Sequence, residues 1–95
     1  MAVYQRLLGI FLRCHDGDGE RIAAELGAGQ ADAARALAHR LRGSAATLGL
    51  VGVEQAAAAV EHATAATPPA QLRSHAAALR DELAAVFTRL RAVLG

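Results

Sequence analysis

The chain has no lysine, one cysteine, two prolines and only three aromatic residues, Tyr4, Phe11 and Phe87. Each shortage excludes something. A lone Cys14 cannot close an internal disulfide, and it suits a reducing compartment. Ten arginines against nine acids leave a net charge of +1, too little for a nucleic-acid groove or an anionic membrane surface. Uncharged stretches such as residues 43–53 fall far short of the roughly 20 residues a membrane-spanning helix needs. The N-terminus lacks the charge pattern and cleavage site of a signal peptide. There is no glycine-rich phosphate loop to predict a nucleotide site. No Cys or His pair stands at i, i+3 or i, i+4, so no metal site is expected. His15, His62 and His75 read as surface or helix-boundary residues, and Cys14 as an inert thiol.

What the chain has in quantity is alanine, the best helix former and a poor core filler. A hydrophobic share of 54% built largely on alanine describes an all-α bundle whose helices approach over small side chains. At 95 residues it is expected to form a single domain, residues 1–95. Apolar residues at Tyr4, Leu8, Phe11, Ile22 and Leu26 keep one helical phase through "HDGDG" at 15–19. That phase predicts one long helix over residues 3–27, kinked or loosened near Gly17 and Gly19. "GAGQAD" at 27–32 reads as a turn before a helix over about 31–48, which "GLVG" at 49–52 breaks. A third helix is predicted over about 53–66. Pro69 opens a fourth, with Leu72, Ala76, Leu79, Leu83, Val86, Leu90 and Val93 as its stripe. Short connections between neighbours predict an antiparallel up-down four-helix bundle.

One segment breaks the pattern of helix-favouring choices. In "AHRLRGSAATLGL", residues 38–50, Gly43 sits in a helix interior, where it costs about 1 kcal/mol relative to alanine. On a wheel of about 100° per residue, Ala34, Leu37, Leu41, Ala45 and Leu48 define the buried face. His39 points directly away from them. Arg35, Arg42, Gly43 and Ala46 fall within about 60° of it, on one exposed patch. A bare position beside an exposed imidazole predicts that something must come close to the ring. Arg42, one turn along, carries a permanent charge in a fork that suits phosphate. Ser44, at the edge of the buried face, suits a local backbone hydrogen bond better than nucleophilic catalysis.

The stretch "AHRLRGSAATLG", followed by "VEQAAAAVE", resembles the histidine-containing phosphotransfer (HPt) family. The family pattern is approximately A-H-x-L-K-G-S-A-x-x-x-G, then an apolar residue and a Leu-Glu pair one helix on. Ala38, His39, Leu41, Gly43, Ser44, Ala45 and Gly49 match, as do Val53 and, more loosely, Val60-Glu61. Residues 4–41 also resemble the family's chain leading to the histidine.

The resemblance implies that His39 is the phosphoacceptor, through Nε2, and that Arg42 stands where the family usually has Lys. Gly43 is then the small residue that lets a receiver domain dock, with Arg35, Ala46 and Arg40 around it. Arg40 replaces the family's common Thr, a change that bears on partner choice. The implied function is a phosphorelay intermediate that takes a phosphoryl group from one receiver aspartate and passes it to another. It would need no cofactor and no ATP, with Mg²⁺ held on the receiver side. No nucleic-acid or direct membrane contact is expected of it, and it would act in the cytoplasm as a monomer. The upstream helix favours the hybrid-sensor-kinase type, so the chain fits either an excised domain of such a kinase, the cytoplasmic part of a membrane-bound one included, or a free-standing member. Two alternatives are the dimerisation helices of a sensor kinase and a helical adaptor that is never phosphorylated. The first usually places an acid directly after the histidine, where this chain has Arg40.

Overall fold

The structure, a computed structural model, describes residues 2–63 and 66–94. Among the described residues five helices follow one another: α1 (Ala2–His15), α2 (Asp18–Gly27), α3 (Ala31–Leu48), α4 (Val51–Glu61) and α5 (Pro69–Leu94). They form an all-α antiparallel four-helix bundle, with α1 and α2 together making the first arm. The bundle is elongated, 44 × 19 × 17 Å. At about 1.5 Å per residue the 26-residue α5 runs nearly its full length.

The single helix predicted over residues 3–27 is two helices. The chain breaks at Asp16–Gly17, where Gly17 takes φ = 85° as the N-cap of α2. A side-chain-bearing residue resists that left-handed conformation, and a second glycine at 19 further weakens continuation. The apolar phase nevertheless survives the break. Phe11 packs edge-on to Phe87 at 6.0 Å, Gly19 faces Arg80, and Leu26 lies beside Leu72. Both segments therefore run antiparallel along α5 in one register. Gly19 has a packing reason too, since a Cβ there would lie 3.1 Å from the Arg80 Cα.

The turn between α3 and α4 is shorter than "GLVG" predicts. Gly49, at φ = 72°, reverses the chain, and Leu50 N–H donates to the Ala45 carbonyl at 2.9 Å. Tyr4 donates its hydroxyl to the Leu48 carbonyl at 2.7 Å, tying α1 to the same helix end. Helix α4 then starts at Val51 and ends at Glu61, five residues before the predicted limit; the predicted residues 64 and 65 lie outside the described ones.

Ile22, Leu41, Val53, Val60 and Leu79 are the largest fully buried side chains, each contributing roughly 1.5–3 kcal/mol. Between them lie buried Ala34, Ala38, Ala45, Ala57 and Ala76, which let the helices come close. Phe87 joins this core, while Val93, predicted on the α5 stripe, is 67% exposed. No described polar side chain is buried.

Candidate functional site

The buried face of α3 fixes where its other face looks. With Leu37, Ala38, Leu41 and Ala45 locked in the core, His39 and Arg40 are exposed. Gly43 and Ala46 are exposed one and two turns along. A Cβ built at Gly43 would meet nothing within 4 Å, so no neighbour in the chain requires glycine there. Ser44 is half-buried beside them.

Helix α4 supplies a partner that the single-helix wheel could not locate. The Glu61 carboxylate, at the last turn of α4, accepts from the His39 Nδ1–H with one oxygen and from the Arg42 Nε–H with the other. Arg42 Nη2 lies 3.4 Å from Glu61 Oε2 and 3.4 Å from His39 Nδ1. Hydrogen bonds from Arg42 first and His39 second hold the Glu61 carboxyl down at about 2. Glu61 therefore stays a carboxylate, able only to accept, so Nδ1 is the nitrogen that donates to it, and a neutral ring held this way is the Nδ1–H tautomer. The lone pair is then on Nε2, and the imidazole that carries it is 63% exposed. In return, the bond and charge of Glu61 push the Arg42 guanidinium further toward its protonated form.

The expected patch thus divides. Arg42 sits on the Nδ1 side of the ring, engaged with Glu61 rather than free for an incoming anion. Arg35 is half-buried and tied to its own helix and the α4 end, bonding Asp32 and, at 3.3 Å, the Ala63 carbonyl. Arg40 and Gly43 look instead toward the seam with α1 and α2. There His15, at the α1 terminus, bonds Asp18 through Nδ1 at 2.7 Å.

Glu61 was within reach of the sequence. His39 lies ten residues before Gly49, and Glu61 eleven after Leu50, so an antiparallel hairpin sets them level. Among the described residues no group of three or more His, Cys, Asp or Glu could hold a metal ion. No described helix is long and apolar enough to cross a membrane.

The family model for the Hpt domain matches residues 6–92, nearly the whole chain. No curated protein and no solved structure gives a significant match. Hpt domains are phosphotransfer modules of two-component phosphorelays, work with receiver domains and have no kinase activity of their own. On a match of that extent, the chain belongs to the Hpt domain family.

Proposed function

We propose that residues 1–95 act as one phosphorelay domain in which His39 takes a phosphoryl group from one receiver aspartate and gives it to another. The carrying observation is the exposed imidazole whose Nδ1–H is held by Glu61, leaving Nε2 to attack. The Nε2 lone pair forms the N–P bond as the bond from phosphorus to the aspartyl oxygen breaks, and the receiver's carboxylate leaves. The ring keeps its Nδ1 proton and becomes cationic. Glu61, already ionised against that nitrogen, offsets the new charge, much as the buried acid of a catalytic triad steadies its histidine.

The reverse sequence delivers the group to the next receiver. Mg²⁺ belongs to the receiver in both directions, and no ATP enters. Arg42 acts through Glu61 in the resting state, and it must leave that carboxylate and swing toward Nε2 to place its charge near the phosphoryl group after transfer. Gly43, Ala46 and Arg40 form the docking face nearest the ring, and Arg35 borders it on the α4 side. We place the protein in the cytoplasm, working as a monomer, with its four arms supplied by one chain.

The test is His39→Gln, assayed with phosphorylated receivers and with phosphoramidate. Labelling is expected to vanish with both donors while helicity is retained, because exposed substitutions usually cost within about 0.5 kcal/mol. Persistent labelling would remove His39 from the role. Sedimentation of the wild type as an obligate dimer would favour the sensor-kinase alternative.

A further inference from the structure

The seam between the α1–α2 arm and α3 has two unlike halves. Toward α1 it is lined by Leu7, Ile10, Phe11 and Leu48, with Leu7 and Ile10 more than 40% exposed. Val3 extends that stripe at 72% exposure, and no described helix covers it. Toward α2 the lining changes to Arg21 and Arg40 beside Gly43. Cys14, His15, Ser44 and Thr47 line both halves, so the seam is continuous.

Among the described residues, three of the ten arginines are ion-paired and seven are not; Arg21 and Arg40 differ from the other five unpaired ones in lining this seam together. Arg35, Arg42 and Arg91 each have an acidic partner. Arg21 and Arg40 have no ion-pair partner among the described residues. Asp18, the acid in their half, is committed to His15 at 2.7 Å. Glu25 lines the adjoining depression together with Arg21, Arg40 and His39, and makes no ion pair with either guanidinium. Two guanidinium groups without ion-pair partners therefore stand with Gly43 at the polar end of a seam that is apolar toward α1.

We infer that Arg21, with Arg40, is a specificity-determining residue that reads a carboxylate on the docking helix of a receiver. This rests on the phosphorelay reading and deepens it by naming what the partner must carry. Fourteen residues separate Leu7 from Arg21, about 20 Å along the arm, which suits a helix of three to four turns. Its apolar stripe would cover Leu7, Ile10 and Leu48. An acid near its other end would meet Arg21 and Arg40. An apolar stripe alone accepts a helix in either direction, and the cationic end selects one, so charge sets orientation and partner choice more than total affinity.

The experiment uses the full chain, purified receiver domains phosphorylated on aspartate, and phosphoramidate as a small donor. Arg21→Glu is expected to slow transfer from its best receiver about tenfold at low salt, through slower association. Labelling of His39 by phosphoramidate should stay within about twofold, because a small donor does not use the seam. The wild-type rate should fall as salt rises, whereas the variant's should not, since exposed charges are screened beyond about 8 Å at physiological ionic strength. Arg21→Lys should restore most of the rate, and replacing the receiver's acid by Arg should rescue Arg21→Glu. Alkylating Cys14, the sole and exposed cysteine, with a bulky maleimide gives a second readout, blocking the receiver but not phosphoramidate.

Receiver transfer that is indifferent to Arg21→Glu and to salt would overturn the inference. So would a concentration-dependent dimer abolished by the same substitution, because a second copy would then occupy the seam. If phosphoramidate and receivers both fail to label wild-type His39, the phosphorelay reading itself falls and takes this inference with it.

Discussion

The two seams that flank α3 are built on opposite plans. Toward α4, every charged group near His39 is answered: Glu61 meets the imidazole and Arg42, and Arg35 meets Asp32. Toward α1 and α2, arginines stand unpaired at one end of a seam whose other end exposes Leu7 and Ile10. The closed network fixes the orientation of the imidazole proposed as the phosphoacceptor. An open seam leaves contacts for the partner to complete. On the phosphorelay proposal one helix then serves two tasks, with the chemistry prepared on its α4 side and recognition left open on its α2 side.

The largest effect is expected at Glu61. Glu61→Ala is expected to slow phosphorylation of His39 with receivers and with phosphoramidate alike, by roughly tenfold or more, as loss of a ring-orienting partner commonly does. Glu61→Gln should be milder, since its amide oxygen can still accept the Nδ1 proton. Arg42 enters through the same carboxylate. Arg42→Ala should slow transfer and shorten the phosphohistidine lifetime, and Arg42→Lys should retain much of both.

The acid limb of this network has a definite sign. The folded carboxyl of Glu61 lies at about 2, below its unfolded value near 4.3. Its contribution is therefore complete above that unfolded value and is lost as pH falls through about 2. Because the Arg42 bond is the largest cause, Arg42→Ala should move the Glu61 midpoint upward, read from its side-chain carbonyl resonance. A midpoint unchanged by the substitution would mean that Arg42 does not hold the carboxylate.

The open seam predicts a different split between donors. Gly43→Gln should melt no lower than wild type, because Gln is a good helix former and a Cβ at 43 meets nothing. Its side chain would nevertheless stand where a receiver must approach, so receiver-donated transfer should drop about tenfold, by the steric penalty on docking. Phosphoramidate labelling should suffer far less. Equal loss with both donors would mean that the substitution disturbs His39 itself.

A sequence pattern encodes directions within a helix and not contacts between helices. The exposed face of α3 was readable because periodicity fixes directions within one helix, and buried Leu37, Leu41 and Ala45 leave His39 one way to point. Glu61 is a contact between helices, and a wheel carries no information about the neighbouring rod. The break at Asp16–Gly17 was hidden for a related reason. Apolar phase records which side faces the core, and α1 and α2 keep facing the same partner across an interrupted backbone. The early end of α4 had no strong signal, since "EHATAAT" favours a helix until Pro68 and Pro69 intervene. Arg35 and Arg42 looked equivalent on the wheel and differ only because Asp32 and Glu61 claim them separately.

The smallest effects are expected at two glycines, Gly17 at the α1–α2 junction and Gly43 on the exposed face of α3. Gly17 holds φ = 85° at the junction of α1 and α2, where an L side chain is strained although no atom lies near. Gly17→Ala should therefore lower stability by about 1–2 kcal/mol, the cost of a left-handed residue with a Cβ. Gly43 has ordinary helical backbone and the same open surroundings, so Gly43→Ala should raise stability by up to about 1 kcal/mol. In a chain of this size these changes amount to melting shifts of roughly 4–8 °C per kcal/mol, in opposite directions. Gly17→Ala should leave phosphoramidate labelling unaffected, because His39 and Glu61 lie on helices that do not pass through the junction. If both variants melt lower than wild type, Gly43 carries a backbone constraint of its own, and access to the imidazole no longer explains why a helix tolerates it there.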